Sequence, residues 1–232
     1  MDFNIEKGNQ KRIVIVGGGF GGLELAKNLR KTGMQIVLID KHNYHQFQPL
    51  IYQVASAGME PSSISFPYRR IFQKYKNLYF RLAEVKQIDV KNKKVITSIG
   101  DVSYDYVVLA AGATSNFFGN KEIERGSMAM KSLSEAARIR NTVLANIERA
   151  ITTEDPVFRQ ELLNIVVVGG GATGVELAGV MSEMKKTILP RDYPELDASL
   201  MNVYLIQGDN RLLPGMAPES SQKAIDFLRS MG

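Results

Sequence analysis

The 232-residue sequence predicts an α/β fold of two successive units, because it writes one strand, glycine-rich turn and helix twice: KRIVIVGGGFGGLELAK from Lys11 and NIVVVGGGATGVELAG from Asn164. Ten of the fourteen residues from Ile13 to Ala26 recur identically 152 positions later, so Gly169 stands where Gly17 stands. Each copy is followed by a further apolar strand, QIVLID at Gln35–Asp40 and VYLIQ at Val203–Gln207. Short β-branched runs alternating with helical patterns are the mark of parallel sheets built from βα elements. A third observation is the polar–apolar alternation of LYFRLAEVKQIDVKNKKVITSIGDVSYDY around Asn92 and Gly100, which predicts a strand leading into a small antiparallel meander. The expected fold is therefore two Rossmann-like dinucleotide-binding units, residues 1–118 with a small antiparallel β-meander and residues 119–232 incomplete at the C-terminal side.

Taken in order, Ile13–Val16 is the first buried strand, and Leu23, Leu25, Ala26 and Leu29 are spaced for a helix that ends near Gly33. Gln35–Asp40 is the next strand, followed by an aromatic, amide-rich loop and a helix over 64–75. After the meander, YVVLAAGA closes the first unit near residue 112 as a buried strand. Residues 113–131 carry scattered Gly, Ser and Asn and are expected to be loop. Leu133–Ala150 has helical spacing, with Ser134 as the expected cap. Ile165–Val168 opens the second unit, a helix runs over 173–189, and after a proline-marked loop Val203–Gln207 and a helix over 220–231 end the chain. Two βα elements are fewer than the three strands of a doubly wound half, so this unit is expected to be a part of a larger one.

Composition narrows the chemistry. The balance of 29 Lys+Arg against 24 Asp+Glu is mild, and its longest basic cluster is Lys91, Lys93 and Lys94, too short for a nucleic-acid stripe. No nucleic-acid partner is expected. The polar start MDFNIEKGNQ does not resemble a secretory peptide, and no run reaches the roughly 18 apolar residues of a membrane span, so a cytoplasmic location is expected. Cysteine is absent and histidine occurs twice, as His42 and His45. That excludes, for these residues, disulfides, cysteine-ligated metal clusters and thiol nucleophiles, and no metal site is expected. Redox chemistry would have to be carried by an organic cofactor.

A lone GxGxxG is a weak signal; it gains force between a strand and a helix with an acidic residue ending the next strand. Gly17, Gly19 and Gly22 meet that context with Asp40, and Gly169, Gly171 and Gly174 repeat it. The first glycine allows the tight turn, the second lets the backbone approach a pyrophosphate, and the third lets helix and strand pack closely. Asp40 can accept hydrogen bonds from both hydroxyls of an adenosine ribose. The second copy presents Gln207 at that place, and an amide does not repel a 2′-phosphate. NADH and NADPH therefore both remain open, and Gln207→Glu is expected to raise the preference for NADH. Arg211 has two readings, a phosphate partner or an exposed turn residue.

Further stretches carry a resemblance. Asn43–Gly58 (NYHQFQPLIYQVASAG) is similar to a flavin-contacting stretch, Tyr104–Ala113 (YDYVVLAAGA) to a strand returning to the flavin, and KSLSEAARIRNTVLANIERA to a connecting helix. Together with GGGATGVELAG these resemble the type II NADH:quinone oxidoreductases (NADH dehydrogenases), within the two-dinucleotide-binding flavoprotein reductases. The resemblance implies that the first unit binds FAD and the second NADH, with NADPH as the alternative. It implies FAD contacts from Gly17, Gly19, Phe20, Gly21, Gly22, Asp40, Lys41, His45, Pro49, Val85, Ala111 and Gly112. The nicotinamide nucleotide would be held by Gly169, Gly171, Thr173, Gly174, Glu176 and Gln207, with Glu176 beside the reacting rings as the catalytic residue. Hydride would pass from NAD(P)H to FAD and electrons on to a quinone of the respiratory chain. The resemblance also implies a considerably longer chain, whose later part completes the FAD domain and ends in amphipathic helices. The whole protein would then be a peripheral membrane flavoprotein on the cytoplasmic face, and could form a homodimer, whereas these residues alone would be inactive. A soluble reductase serving an electron-carrier protein, and a non-catalytic nucleotide-binding fragment, are the competing readings.

Overall fold

The computed structural model describes residues 3–232. It divides into two compact units: one holds the residues up to Phe47 together with Ser65–Thr114, the other Gln48–Ile64 together with Ser115–Gly232.

In the first unit, β1 (Arg12–Val16) runs into α1 (Phe20–Asn28) and a 3₁₀ turn at Leu29–Lys31, followed by β2 (Gln35–Asp40). The short β3 (Tyr44–Gln46) pairs antiparallel with β4 (Ser65–Pro67). The one-turn α3 (Tyr68–Ile71) leads to β5 (Leu78–Leu82), a meander of β6 (Val85–Asp89), β7 (Lys94–Thr97) and β8 (Gly100–Ser103), and finally β9 (Tyr106–Leu109). The main sheet has the order β5-β2-β1-β9, and every pair is parallel. Two strands therefore lie to one side of β1 and one to the other, which makes the carboxyl end between β1 and β9 the point where strand order reverses. Open α/β sheets bind ligands at that point.

The period-2 geometry of a strand sorts β1 between two cores. Val14 and Val16, with Val37 and Ile39, face the meander residues Val95 and Val102 together with Phe3 and Ile5. Ile13 and Ile15, with Ile36 and Leu38, face Leu23 and Ala26 of α1 and the aromatic residues Tyr68, Phe72 and Phe80. Each such side chain, fully removed from water, contributes about 1.5–3 kcal/mol, which is why Ile13–Val16 and Ile36–Ile39 are apolar at every position. The buried Arg12 opens β1, and its guanidinium donates to Gln35 Oε1, the Ile5 carbonyl and Ser103.

Asp105 anchors the start of β9. Its carboxylate accepts from Arg12 N at 2.8 Å and meets Lys7 Nζ at 2.9 Å and Lys11 Nζ at 3.2 Å. The Arg12 N–H bond first, then Lys7, hold its carboxyl well below the usual carboxylate range. A depressed folded-state pKa contributes stability that is present above the unfolded-state value and lost as pH falls through the folded one. Asp105→Asn is therefore expected to lower the thermal midpoint at pH 7, with the gap from wild type narrowing as the pH drops below the ordinary aspartate range. A gap that stays constant across that range would assign the effect to packing instead.

In the second unit α2 (Ile51–Ala55), flanked by 3₁₀ turns at Gln48–Leu50 and Pro61–Ile64, packs against the long helix α5 (Leu133–Thr152). The order is α4 (Lys121–Gly126), α5 (Leu133–Thr152), α6 (Pro156–Leu163), β10 (Asn164–Val168) and α7 (Ala172–Glu183). A π-helical turn at Met184–Ile188 then precedes α8 (Leu189–Asp192), followed by β11 (Asn202–Ile206) and α9 (Pro218–Met231). β10 and β11 form a two-stranded parallel sheet. Pro190 has no N–H to donate and its ring crowds the carbonyl four residues back, which accounts for the widened π turn. Glu60 pairs with Arg140 of α5 at 3.8 Å, and with the packing of α2 this ties the 48–64 excursion to the second unit.

Several expectations are corrected. The helix over 64–75 is a strand, Ser65–Pro67, followed by a single turn at Tyr68–Ile71, because Pro67 biases Phe66 away from helical angles. The aromatic stretch after Asp40 is not one loop but β3, a 3₁₀ turn and α2. The cap of α5 is Ser132, not Ser134: its hydroxyl accepts from Glu135 N while the Glu135 carboxylate accepts from Ser132 N. Residues 113–131 contain α4, capped by Asn120, and α6 is opened by Asp155 with Pro156 behind it. β9 is an edge strand rather than a buried one, with Tyr106 55% and Leu109 68% exposed.

Candidate functional site

The turn after β1 lies at the strand-order reversal. Gly17 has φ +100°, donates to the Ile39 carbonyl at 2.8 Å, and is so close to β9 that a Cβ there would stand 2.3 Å from the Ala110 carbonyl oxygen. Ala110 N in turn donates to the Val16 carbonyl. The turn is thus pinned between β2 and β9, and Ala111 is brought directly against it.

The next peptide is held at both ends. Gly18 N donates to Asp40 Oδ2 at 2.6 Å, while its carbonyl accepts from the Tyr68 hydroxyl at 2.7 Å and lies 3.1 Å from His45 Nδ1, which donates there in its Nδ1-protonated form. The second Asp40 oxygen accepts from His42 N at 2.8 Å. Tyr68 and His45 are both buried, and burial first, then the nearby Asp40 charge, pushes the Tyr68 phenol far above its ordinary pKa. The same two causes raise Tyr44. Tyr68 therefore stays a neutral donor at any physiological pH.

Beyond this clamp the backbone is open. A Cβ at Gly19 or Gly21 would meet nothing within 4 Å, and α1 starts with no side-chain cap and no acidic residue in its first turn. Unpaired N–H groups at the positive end of a helix, facing space that no side chain fills, fit the diphosphate of a dinucleotide. Phe20 is half exposed and stands edge-to-face with His45 and Phe47, at centroid distances of 5.3 and 5.6 Å.

The second turn repeats the plan with different parts. Gly169, at φ +109°, donates to the Ile206 carbonyl at 2.8 Å. Gly170 N donates to Gln207 Oε1 at 2.7 Å, the bond that Gly18 makes to Asp40. Its carbonyl is held by backbone rather than side chains, accepting from Leu213 N at 2.7 Å. The 208–213 segment thereby folds over the turn. Gln207 Nε2 donates to Asp209 Oδ2 at 3.0 Å, and Arg211 turns its guanidinium onto the Pro214 carbonyl. Gly171 faces open space, and α7 too begins without a side-chain cap or an acidic first turn. Thr173 lies in that first turn, and Glu176 follows on the next, exposed, its carboxyl pKa raised by lost hydration.

Of the residues expected at the first site, the structure gathers Gly17, Gly19, Phe20, Gly21, Gly22, Asp40, His45 and Ala111 around one turn, and Gly112 follows Ala111 at φ +71°. Lys41 is exposed beside Asp40, and Ala83 N donates to the Asp40 carbonyl, which sets Val85 two residues past that tie. Pro49 lies in the 48–50 turn, within the second unit. Tyr68, Asp209 and Leu213 were not anticipated. Tyr68 lies 50 positions from its partner and carries no motif; Asp209 follows Gln207 closely, but only the fold turns it back. A concavity of about 690 Å³ lined by Arg30, Lys31, Arg70 and Lys74 sits where β2 and β5 begin, at the opposite end of the sheet from the glycine turn.

A family model described as pyridine nucleotide-disulphide oxidoreductase matches residues 11–232. The chain is 35% identical over 225 residues to the type II NADH:quinone oxidoreductase Ndh of Mycobacterium tuberculosis (strain ATCC 25618 / H37Rv), covering 95% of this chain and 49% of that protein. It is 36% identical over 228 residues to NdhA of the same organism, covering 97% and 48%. In structure it matches NDH2 from Plasmodium falciparum, solved in complex with NADH, at a TM-score of 0.88 and 23% identity, covering 96% of this chain and 47% of that one. The chain thus spans about half the length of the curated relatives it matches.

Proposed function

Since the chain belongs to the pyridine nucleotide-disulphide oxidoreductase family, we propose that it holds the two dinucleotide sites of an FAD-dependent NAD(P)H:quinone oxidoreductase, FAD in the first unit and the nicotinamide nucleotide in the second. The observation that carries this reading is the pair of matched turns, each with a second glycine N–H bonded to the side chain at the end of the neighbouring strand and each opening an uncapped helix. The chemistry supplied when FAD is bound is acceptance of a hydride from NAD(P)H and delivery of the electrons to a quinone.

The chain's own residues bind and orient. N–H groups of the first turn of α1 hold one diphosphate, and Asp40, fixed by Gly18 and His42, offers its remaining acceptor capacity to the ribose hydroxyls. Lys41 and Val85 follow at the same end of the sheet, and Gly112 leaves the backbone free to pass close to the cofactor. In the second unit the first turn of α7, with Thr173, holds the other diphosphate. Glu176, whose carboxyl keeps its proton to a higher pH than an ordinary glutamate, is proposed as the catalytic residue next to the nicotinamide. With no cysteine in these 232 residues, thiol–disulfide exchange is not what they contribute, and that favours a quinone acceptor over a disulfide. Among the described residues no helix is long and apolar enough to cross a membrane; attachment to a membrane surface and pairing as a homodimer are proposed for the whole protein.

The test uses the intact gene product. It is expected to purify with bound flavin whose absorbance bleaches on anaerobic addition of NADH and returns on addition of a quinone. A protein that neither carries nor takes up FAD, or one whose flavin is untouched by NADH and NADPH alike, sinks the reading.

A further inference from the structure

The geometry points to Asp209 as the residue that makes the second site select NADH over NADPH, with Gln207 serving to position it; this rests on the proposed placement of the nicotinamide nucleotide in the second unit. The expectation from strand-end chemistry is ambiguous, because an uncharged amide at 207 does not discriminate against a 2′-phosphate. The structure moves the missing charge rather than dispensing with it. Gly170 N can only donate, so the amide oxygen of Gln207 must face it, at 2.7 Å. The amide nitrogen must then face outward, where it donates to Asp209 Oδ2 at 3.0 Å. The carboxylate is thus joined through one amide to the peptide that Asp40 binds directly in the first unit, where Gly18 N meets Asp40 Oδ2 at 2.6 Å.

Position and neighbours support the assignment. The Leu213 N–H bond to the Gly170 carbonyl folds the 208–213 segment back over the glycine turn, which keeps Asp209 on the strand-end side where an adenosine ribose is read. A carboxylate there accepts from the 2′- and 3′-hydroxyls and repels a 2′-phosphate. The side chain that could offset that repulsion, Arg211, is bonded instead to the Pro214 carbonyl within its own turn. An arginine near this point is the usual partner of a 2′-phosphate, so this short segment carries both determinants and the structure engages the acidic one.

The experiment is calorimetric titration of the intact protein with NAD⁺ and NADP⁺, which do not reduce a bound flavin and so report binding without turnover. Wild type is expected to bind NAD⁺ more tightly by at least about tenfold, and Asp209→Asn to shrink that ratio by about tenfold, the equivalent of 1.4 kcal/mol. Adding Gln207→Glu to Asp209→Asn is expected to restore the ratio, because it returns a carboxylate to the place Asp40 occupies in the first unit. The inference is overturned if Asp209→Asn binds NAD⁺ normally with an unchanged ratio, or if wild type binds NADP⁺ as tightly as NAD⁺. Binding of neither nucleotide, with FAD retained, overturns the functional reading along with it.

Discussion

Gly174→Ala is expected to weaken nicotinamide-nucleotide binding by about 100-fold while leaving bound flavin in place, and Gly22→Ala to do the reverse. An added Cβ would lie 1.9 Å from the Gly169 carbonyl oxygen in the first case and 1.8 Å from the Gly17 carbonyl oxygen in the second. Both obstacles are backbone, and each belongs to the turn proposed to cradle a diphosphate, so the clash is relieved only by opening that turn. Overpacking of this kind costs about 3 kcal/mol, roughly a 100-fold loss of affinity at the affected site. Gly171→Ala makes the instructive contrast. Its Cβ meets nothing within 4 Å, so thermal stability should hold while nucleotide affinity falls, because the methyl enters the space left for the phosphates. Thermal unfolding alongside flavin content and NAD⁺ titration separates these cases; equal loss of both ligands in Gly22→Ala and Gly174→Ala would show that the two turns are not independent sites.

The second large effect is expected at Asp40. Asp40→Ala removes the acceptor for Gly18 N at 2.6 Å and for His42 N at 2.8 Å as well as the proposed ribose contact. Hydrogen bonds to a charged group contribute about 1.5–3 kcal/mol each, so FAD affinity is expected to fall by about 100-fold or more, read as the dissociation constant from flavin fluorescence. Gly18 would keep its carbonyl partners Tyr68 and His45, which limits the loss to one end of the peptide. Asp40→Asn, whose amide oxygen can still accept from Gly18 N as Gln207 does from Gly170 N, should retain a large part of the affinity. If Asp40→Ala binds FAD like wild type, the first turn is not where the cofactor sits.

What was legible in the sequence was what depends on near neighbours. β1, β2, β10 and β11 were readable because strands covered on a face must be apolar, and the glycine turns because Gly17 and Gly169 take positive φ and the clashes that Gly22 and Gly174 avoid lie five residues back. The caps of α5 and α6 are equally local: Ser132 with Glu135 is a capping box two residues before the expected cap Ser134, and Asp155–Pro156 is a start signal in plain view. The three-residue strand at Ser65–Pro67 shows no period long enough to detect, and its pairing partner at Tyr44–Gln46 is no longer.

By itself, then, the sequence determined that this chain writes a strand, glycine turn and helix twice and that the strand ends that follow differ, Asp40 against Gln207. Only the tertiary structure decided what each turn rests on: Tyr68 and His45 beneath Gly18, Leu213 over Gly170, and Asp209 held out by Gln207. It also decided that Gln48–Ile64 clusters with the second unit. The physical reason is that the positive φ of Gly17 and Gly169, and the clashes that Gly22 and Gly174 avoid five residues back, are demands of the local chain and are therefore written at a fixed spacing. A side chain that reaches across 27 or 50 positions to one carbonyl is placed by the packing of strands and helices, and leaves no spacing to read.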